Sequence, residues 1–271
     1  MSTNLRGEEL LDALERGELR VAERASDGRW TVHAWIKTEL LAIFRASETV
    51  VHGDPLANPL GCFLDKRALP ARRFTLEDRV RIVPGGSSVR RGAHLAPGVI
   101  AMPPMYVNVG AHVGSGTMID SHALVGSCAQ IGERVHLSAA AQIGGVLEPA
   151  QARPVIVEDD VFVGGGCGVY EGVMLRRHVV LAAGVVLTAS TRVFDLVHER
   201  EWGGTRAAPL EIPERAVVVS GTRPVSSAWG RAQGLQAQCV LIIKYRDEKT
   251  DSATALEDAL RARHGAPDGI T

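Results

Sequence analysis

Small or medium apolar residues recur at every sixth position through the middle of the chain. The series runs from Val89 through Leu95, Ala101, Val107, Val113, Ile119, Val125, Ile131 and Leu137 to Ile143. It breaks, resumes at Val157, and continues through Val163, Val169, Leu175, Leu181 and Leu187 to Val193, with two further steps at Ile212 and Val218. Four places after most of these anchors stands a second small or apolar residue, as at Val99, Met105, Ala111, Thr117, Val161 and Cys167. Gly, Asp or Ser often follows the anchor directly, as in Val113-Gly114, Ile119-Asp120 and Val125-Gly126. A period of six fits neither a helix at 3.6 nor a strand at 2. It is the pattern of hexapeptide repeats, which predicts a mainly β protein built on a left-handed parallel β-helix.

Three sextets make one triangular coil, so this series predicts roughly six coils and a prism about 30 Å tall at the ordinary inter-strand spacing. Each anchor is expected to point inward near a corner. The narrow interior accounts for the absence of large side chains there and for an aromatic content of only 4%. Each coil bonds only to its neighbours, so the two open ends need caps. The flat walls are expected to pack against copies of the chain as a homotrimer.

The flanks carry other periods. Residues 7–16 read as a short helix, and His33 to Ala46 as an amphipathic helix with Trp35, Ile36, Leu40, Leu41 and Phe44 on one face. Between them, Ser26-Asp27-Gly28 marks a hairpin. Asp54 to Pro70 reads as a loop, and Thr75 to Arg79 as a short helix or turn. Residues 1–80 thus form a small α/β N-terminal domain and residues 81–221 the β-helix, with inserts near 146–156 and 195–211. Residues 222–271 form a strand-helix cap and tail, with a strand at Gln236 to Tyr245 and a helix over 251–263.

Composition narrows the function classes. Thirty Lys and Arg against 31 Asp and Glu leave no charge excess for a nucleic-acid or anionic-membrane partner. No apolar run approaches the length of a membrane span, and no signal-peptide h-region opens the chain. Cys62, Cys128, Cys167 and Cys239 show no CxxC spacing, and a reducing cytoplasm suits them.

Several stretches carry a resemblance. They include Trp30-Thr-Val-His33-Ala-Trp35-Ile-Lys37, Arg81-Ile-Val-Pro84, Gly116-Thr-Met-Ile-Asp120, Val125-Gly-Ser-Cys-Ala-Gln130-Ile-Gly-Glu-Arg-Val-His136, Ile143-Gly-Gly-Val-Leu-Glu148-Pro149 and Tyr170-Glu171-Gly172. Together they resemble the tetrahydrodipicolinate N-succinyltransferase family, from about residue 15 to about residue 262. The resemblance implies succinyl transfer from succinyl-CoA to the amine of ring-opened tetrahydrodipicolinate, in lysine and diaminopimelate biosynthesis. It implies a cleft between adjacent prisms of a trimer, with the CoA arm along the groove. It also places Arg81 on a substrate carboxylate and Asp120 near the amine. Many members carry a carboxylate where this chain has Gly168, so Glu171 becomes a second catalytic candidate. The loop from Phe194 to Trp202 also departs from better-known members, which leaves acetyl-CoA, or another amino-dicarboxylate acceptor, as an alternative.

The chemistry fits those residue types. An ammonium must lose a proton before attacking a thioester, and a placed carboxylate can take it. The tetrahedral oxyanion needs N–H donors, which the coil backbone near Gly164 to Gly168 or Ala183-Gly184 can supply. A dicarboxylate substrate calls for a forked cation such as Arg. Gly164, Gly184 and Lys244 are candidates for contact with CoA, Lys244 for one of its phosphates, though a solvated edge lysine is the stronger reading there. Nine histidines raise a metal-dependent hydratase as another alternative. His94 and His112 fall on successive coils, but the next rung holds Gln130, and no metal site is expected. His122 is the best alternative base. A non-catalytic scaffold would leave Arg81, Asp120 and both inserts without a role.

Overall fold

The computed structural model describes residues 5–53, 63–205 and 207–246. Two-residue strands repeat through it and stack into three parallel walls. The first wall holds Arg81–Ile82, Ile100–Ala101, Met118–Ile119, His136–Leu137, Phe162–Val163, Val180–Leu181 and the start of Ala216–Pro224. The second runs from Ser88–Val89 to Val186–Leu187, and the third from His94–Leu95 to Glu211–Ile212. Their registers pair each residue with the one eighteen places on, as in Met118 with His136, until the first insert adds its extra residues. This is the left-handed parallel β-helix that the sixfold period predicts.

The anchors occupy the second position of each wall strand, not a corner. A residue pointing into the coil from the middle of a wall meets its equivalents from the other two walls, whereas the corners are two-residue turns with a left-handed backbone at one position. Every anchor is buried, as are the partners four places on. Thr117 is the polar exception; its hydroxyl donates to the Gly132 carbonyl at 2.9 Å and accepts from Val135 N–H at 3.1 Å. Each buried anchor contributes about 1.5–3 kcal/mol relative to exposure.

One anchor leaves the stack. Val193 was expected on the third wall above Leu175, but Ile212 takes that place. The chain peels away at Arg192–Asp195, forms an antiparallel hairpin with Arg200–Gly203 and pairs with the terminal strand Gln236–Tyr245. Val193 pairs with Val240 of that strand and stays buried in the prism's core cluster. Ala216–Pro224 and Gln236–Tyr245 form a long hairpin that covers the far end of the prism and runs straight through residue 222. The helix expected over 251–263 lies outside the described residues.

The N-terminal segment covers the third wall. Helices α1 (Gly7–Glu15) and α2 (Ala34–Ala46) put Leu10, Leu11, Leu14, Ile36 and Leu40 into a second core closed by Val109 and Cys128 of the prism. A hairpin of Thr49–His52 with Phe63–Lys66 stands at the ends of the stretch that reads from sequence as a loop. Lys37 of α2 is fully buried, and its ammonium donates to the carbonyls of Pro149 and Ala152 at 3.1 and 2.9 Å. That contact ties the first insert to the N-terminal domain. Cys128, Cys167 and Cys239 are buried free thiols, and burial pushes the Cys128 thiol up to about 12; Cys62 lies outside the described residues.

Candidate active site

The candidate residues distribute along one wall and one edge. Arg81 opens the first wall, its backbone N–H bonded to the Val99 carbonyl and its side chain exposed. It pairs with Ile100, which pairs with Met118, so it lies two rungs below the strand that leads into Asp120. Two rungs along the axis and two residues along the strand separate Arg81 and Asp120 by about 12 Å. Among the described residues, Arg81 has no carboxylate within 4 Å, unlike most arginines of the prism. A substrate carboxylate would meet a guanidinium with no competitor.

Asp120 sits where the first wall turns into the second. Its Oδ1 accepts from Ser121 N–H at 2.7 Å, which fixes the carboxylate at the turn. Its Oδ2 lies 3.9 Å from His136 Nε2 on the next rung. His136 is marked in the sequence only by its place eighteen residues after Met118, which sets it directly over that residue. His122 is two residues on, exposed, with a left-handed backbone whose N–H donates to Pro104.

The same edge carries Gly164, in register with Asp120, and Gly184, two places further round its turn, so three of the candidate residues share one edge. Within the two stretches that read as donors, Gly164 N–H is bonded to the Leu181 carbonyl and Gly184 N–H to that of Gly165. Gly164 is glycine because a Cβ there would press on the backbone of Leu181 and Ala183, whereas Gly184 has φ +75° and faces open space. The neighbouring N–H groups of Ala139, Gly165 and Ala183 have no acceptor among the described residues. They line the edge above Asp120 and are the donors an oxyanion could use.

Glu171 lies elsewhere. It follows the second wall, so it stands on the edge between the second and third walls, and its Oε2 accepts from Ala189 N–H at 3.0 Å. Within one chain it does not share an edge with Asp120. Tyr170 beside it folds back so that its ring covers Gly168, and a side chain at 168 would collide with it. Tyr170 and Glu171 line a cavity of about 920 Å³ together with Glu148, Arg153 and Ser190. Lys244 is exposed on the terminal strand, opposite Val217 of the first wall. Five strand spacings, about 24 Å, separate it from the Met118 rung.

The histidine column is built as the period requires. His94 and His112 stack with centroids 4.5 Å apart, and Gln130 follows, its amide donating to Gly110, Cys128 and Ala129 carbonyls. Burial, then the nearby Arg20 and His94, pushes His112 down to about 2. Among the described residues, no three His, Cys, Asp or Glu gather closely enough to hold a metal ion. Among them too, no helix is long and apolar enough to cross a membrane.

Comparison with known proteins gives two family matches. Residues 7–46 match the model of the tetrahydrodipicolinate N-succinyltransferase N-terminal region, and residues 154–189 the hexapeptide repeat of succinyl-transferase. A 2,3,4,5-tetrahydropyridine-2,6-dicarboxylate N-succinyltransferase of Paramagnetospirillum magneticum is 45% identical over 260 residues, covering 94% of this chain and 88% of the relative. The protein of the same description from Nitrobacter hamburgensis is 44% identical, covering 93% and 87%. That of Idiomarina loihiensis is 40% identical, with the same coverage. A solved hexapeptide-repeat acetyltransferase of Vibrio cholerae overlays 45% of this chain and 65% of its own, at 21% identity and a TM-score of 0.32. No part of the site rests on so loose an overlay.

Proposed function

The chain belongs to the tetrahydrodipicolinate N-succinyltransferase family, and from that membership we propose how its residues perform the transfer. It is an N-acyltransferase that moves a succinyl group onto the amine of ring-opened tetrahydrodipicolinate, in lysine and diaminopimelate biosynthesis. The acyl donor is a CoA thioester, and we take it to be succinyl-CoA. The observation that carries the site is the alignment of Arg81, Asp120 and the unbonded N–H groups of Ala139, Gly165 and Ala183 along one wall and its edge.

In this reading Arg81 takes a carboxylate of the acceptor as a charge-assisted fork. That places the α-ammonium toward Asp120, which accepts its proton through Oδ2. The freed amine nitrogen forms a bond to the thioester carbonyl carbon, and charge develops on the carbonyl oxygen, where edge N–H groups receive it. The carbonyl re-forms as the C–S bond breaks, the nitrogen's second proton passes to the leaving CoA sulfur, and Asp120 returns the first to solvent. The thiol arm follows the edge of small residues toward Lys244, which meets a CoA phosphate.

The second and first walls keep apolar, partly exposed side chains outside the coil, among them Ile100, Met118, Phe162, Leu124 and Val186. This supports a homotrimer in which those walls meet and the Asp120 edge becomes a cleft. A cytoplasmic location accords with the free buried thiols. Glu171 stays a candidate only as a group that one prism would present to the next.

The test is thiol release with succinyl-CoA and with acetyl-CoA on the same acceptor, tetrahydrodipicolinate. A kcat/KM at least about tenfold higher for succinyl-CoA is expected, the least that one well-made polar contact to the distal carboxylate supplies. Equal values, or a preference for acetyl-CoA, would remove the donor assignment.

A further inference from the structure

The edge between the third and first walls, away from Asp120, carries a partly enclosed space. The hairpin of Ala22–Arg24 with Trp30–Val32 leans over this edge and walls one side of a cavity of about 310 Å³. Arg20, Arg24 and Trp30 line it from the N-terminal side, with His112, Asp159 and Arg177 on the prism side. The carboxylates in its walls are already engaged. Glu158 accepts from Trp30 Nε1 at 2.9 Å and pairs with Arg24 and Arg176 at 3.3 and 3.2 Å. Asp159 pairs with Arg177 at 2.8 Å, and Glu133 with Arg134 at 2.7 Å.

The donors are not matched in the same way. Arg20 uses only its Nε, on Gln130 Oε1 at 3.1 Å, and lies 5.7 Å from the Trp30 ring centroid. No carboxylate lies within 4 Å of it among the described residues, although burial works against its charge. Two buried side-chain nitrogens of this cavity's residues, His112 Nδ1 and Arg177 Nε, lack a hydrogen-bond partner among the described residues. A half-buried guanidinium with only its Nε bonded, Glu23 and Asp159 near it but beyond 4 Å, and two unpartnered buried nitrogens beside it leave room for an acceptor-rich, negatively charged occupant.

We propose that this cavity is a binding site for a small oxyanion, a phosphate or a short carboxylate, held chiefly by the guanidinium of Arg20. The volume admits an anion of that size and excludes a CoA. Because Arg20 and Trp30 come from the N-terminal domain and Arg177 and Asp159 from the coils, an anion bound there fastens one to the other. The site is separate from the Asp120 edge and does not depend on the acyl-transfer reading.

Calorimetric titration of the full chain with inorganic phosphate and with succinate, at constant ionic strength set by chloride, tests it. Saturable binding of one anion per chain is expected from at least one of the two. Phosphate alone would mark a phosphate-bearing ligand, succinate alone a carboxylate, and both a site that reads charge only. Arg20→Gln should weaken binding about tenfold or more, the loss of one charge-assisted hydrogen bond, while Arg81→Gln leaves it unchanged. His112→Phe keeps a ring to stack on His94, removes the nitrogens and should also weaken it, which gives a second reading if Arg20→Gln does not fold. No saturable binding of either anion, binding undiminished in both Arg20→Gln and His112→Phe, or binding lost in Arg81→Gln instead, overturns the proposal.

Discussion

The carboxylate of Asp120 and the imidazole of His136 approach to 3.9 Å across adjacent rungs of the first wall. One side chain comes from a turn and the other from a strand, and the coil register alone brings them together. The contact leaves Asp120 Oδ1 on its own turn and directs Oδ2 along the wall.

Asp120→Asn should lower turnover about 100-fold or more, the low end for removing a general base. The amide can still accept from Ser121 N–H, so the thermal midpoint should hardly move. Thiol release and a melting curve on the same sample check both halves. Near-normal turnover would dismiss Asp120 as the proton acceptor.

Arg81→Gln should act on the acceptor's KM more than on kcat. Its side chain is exposed and in no ion pair among the described residues, so folding has little to lose. Loss of a forked carboxylate contact predicts a rise in KM of about tenfold or more. An unchanged KM for the acceptor, with a raised KM for the CoA ester, would move Arg81 to the donor side.

Glu171 separates a structural from a chemical role. Its carboxylate caps Ala189 N–H, and Gln can do the same. Glu171→Gln should therefore keep turnover within a few-fold, while Glu171→Ala costs about 1 kcal/mol of stability through the lost cap. A loss of turnover in Glu171→Gln as deep as that of Asp120→Asn would show that the carboxylate acts in the chemistry, from the neighbouring prism.

Asp195 gives the stability curve its acid limb. Burial alone would raise its pKa, but hydrogen bonds from His198, Tyr245 and Arg200 more than offset that and hold it below the usual carboxylate range. Its side chain is fully buried. A depressed folded-state pKa contributes stability that is present above the unfolded pKa, near 3.9, and is lost as pH falls below it. Asp195→Ala should therefore destabilise by about 3 kcal/mol at neutral pH. The gap to the parent should narrow as pH is lowered from about 5 toward 3 in denaturant titrations. A gap independent of pH would mean that packing, not ionisation, accounts for the loss.

Leu137→Ala, in the middle of the first wall, should cost about 2–5 kcal/mol. The coils above and below cannot close the cavity without breaking register. Chemical denaturation checks it, and a cost under about 1 kcal/mol would imply that the coil relaxes freely.

Much of this was legible in the chain because a repeat with one side chain per wall leaves one solution: a sextet that misplaces Ile119 or Val163 exposes an apolar residue and empties a core position. The period fixed the walls, the stacked His94 and His112 with Gln130 as the next rung, and the edge that Asp120 shares with Gly164 and Gly184. Tertiary structure alone decided the departures from the period. Val193 leaves the stack because the terminal strand offers it a better partner, and Glu171 is tied to Ala189 by a turn that carries no mark in the sequence. Arg20 meets His112 and Arg177 only because a separate domain folds onto the coil. A periodic pattern constrains contacts between equivalent positions; it is silent about segments that approach from outside the repeat, where shape and charge decide.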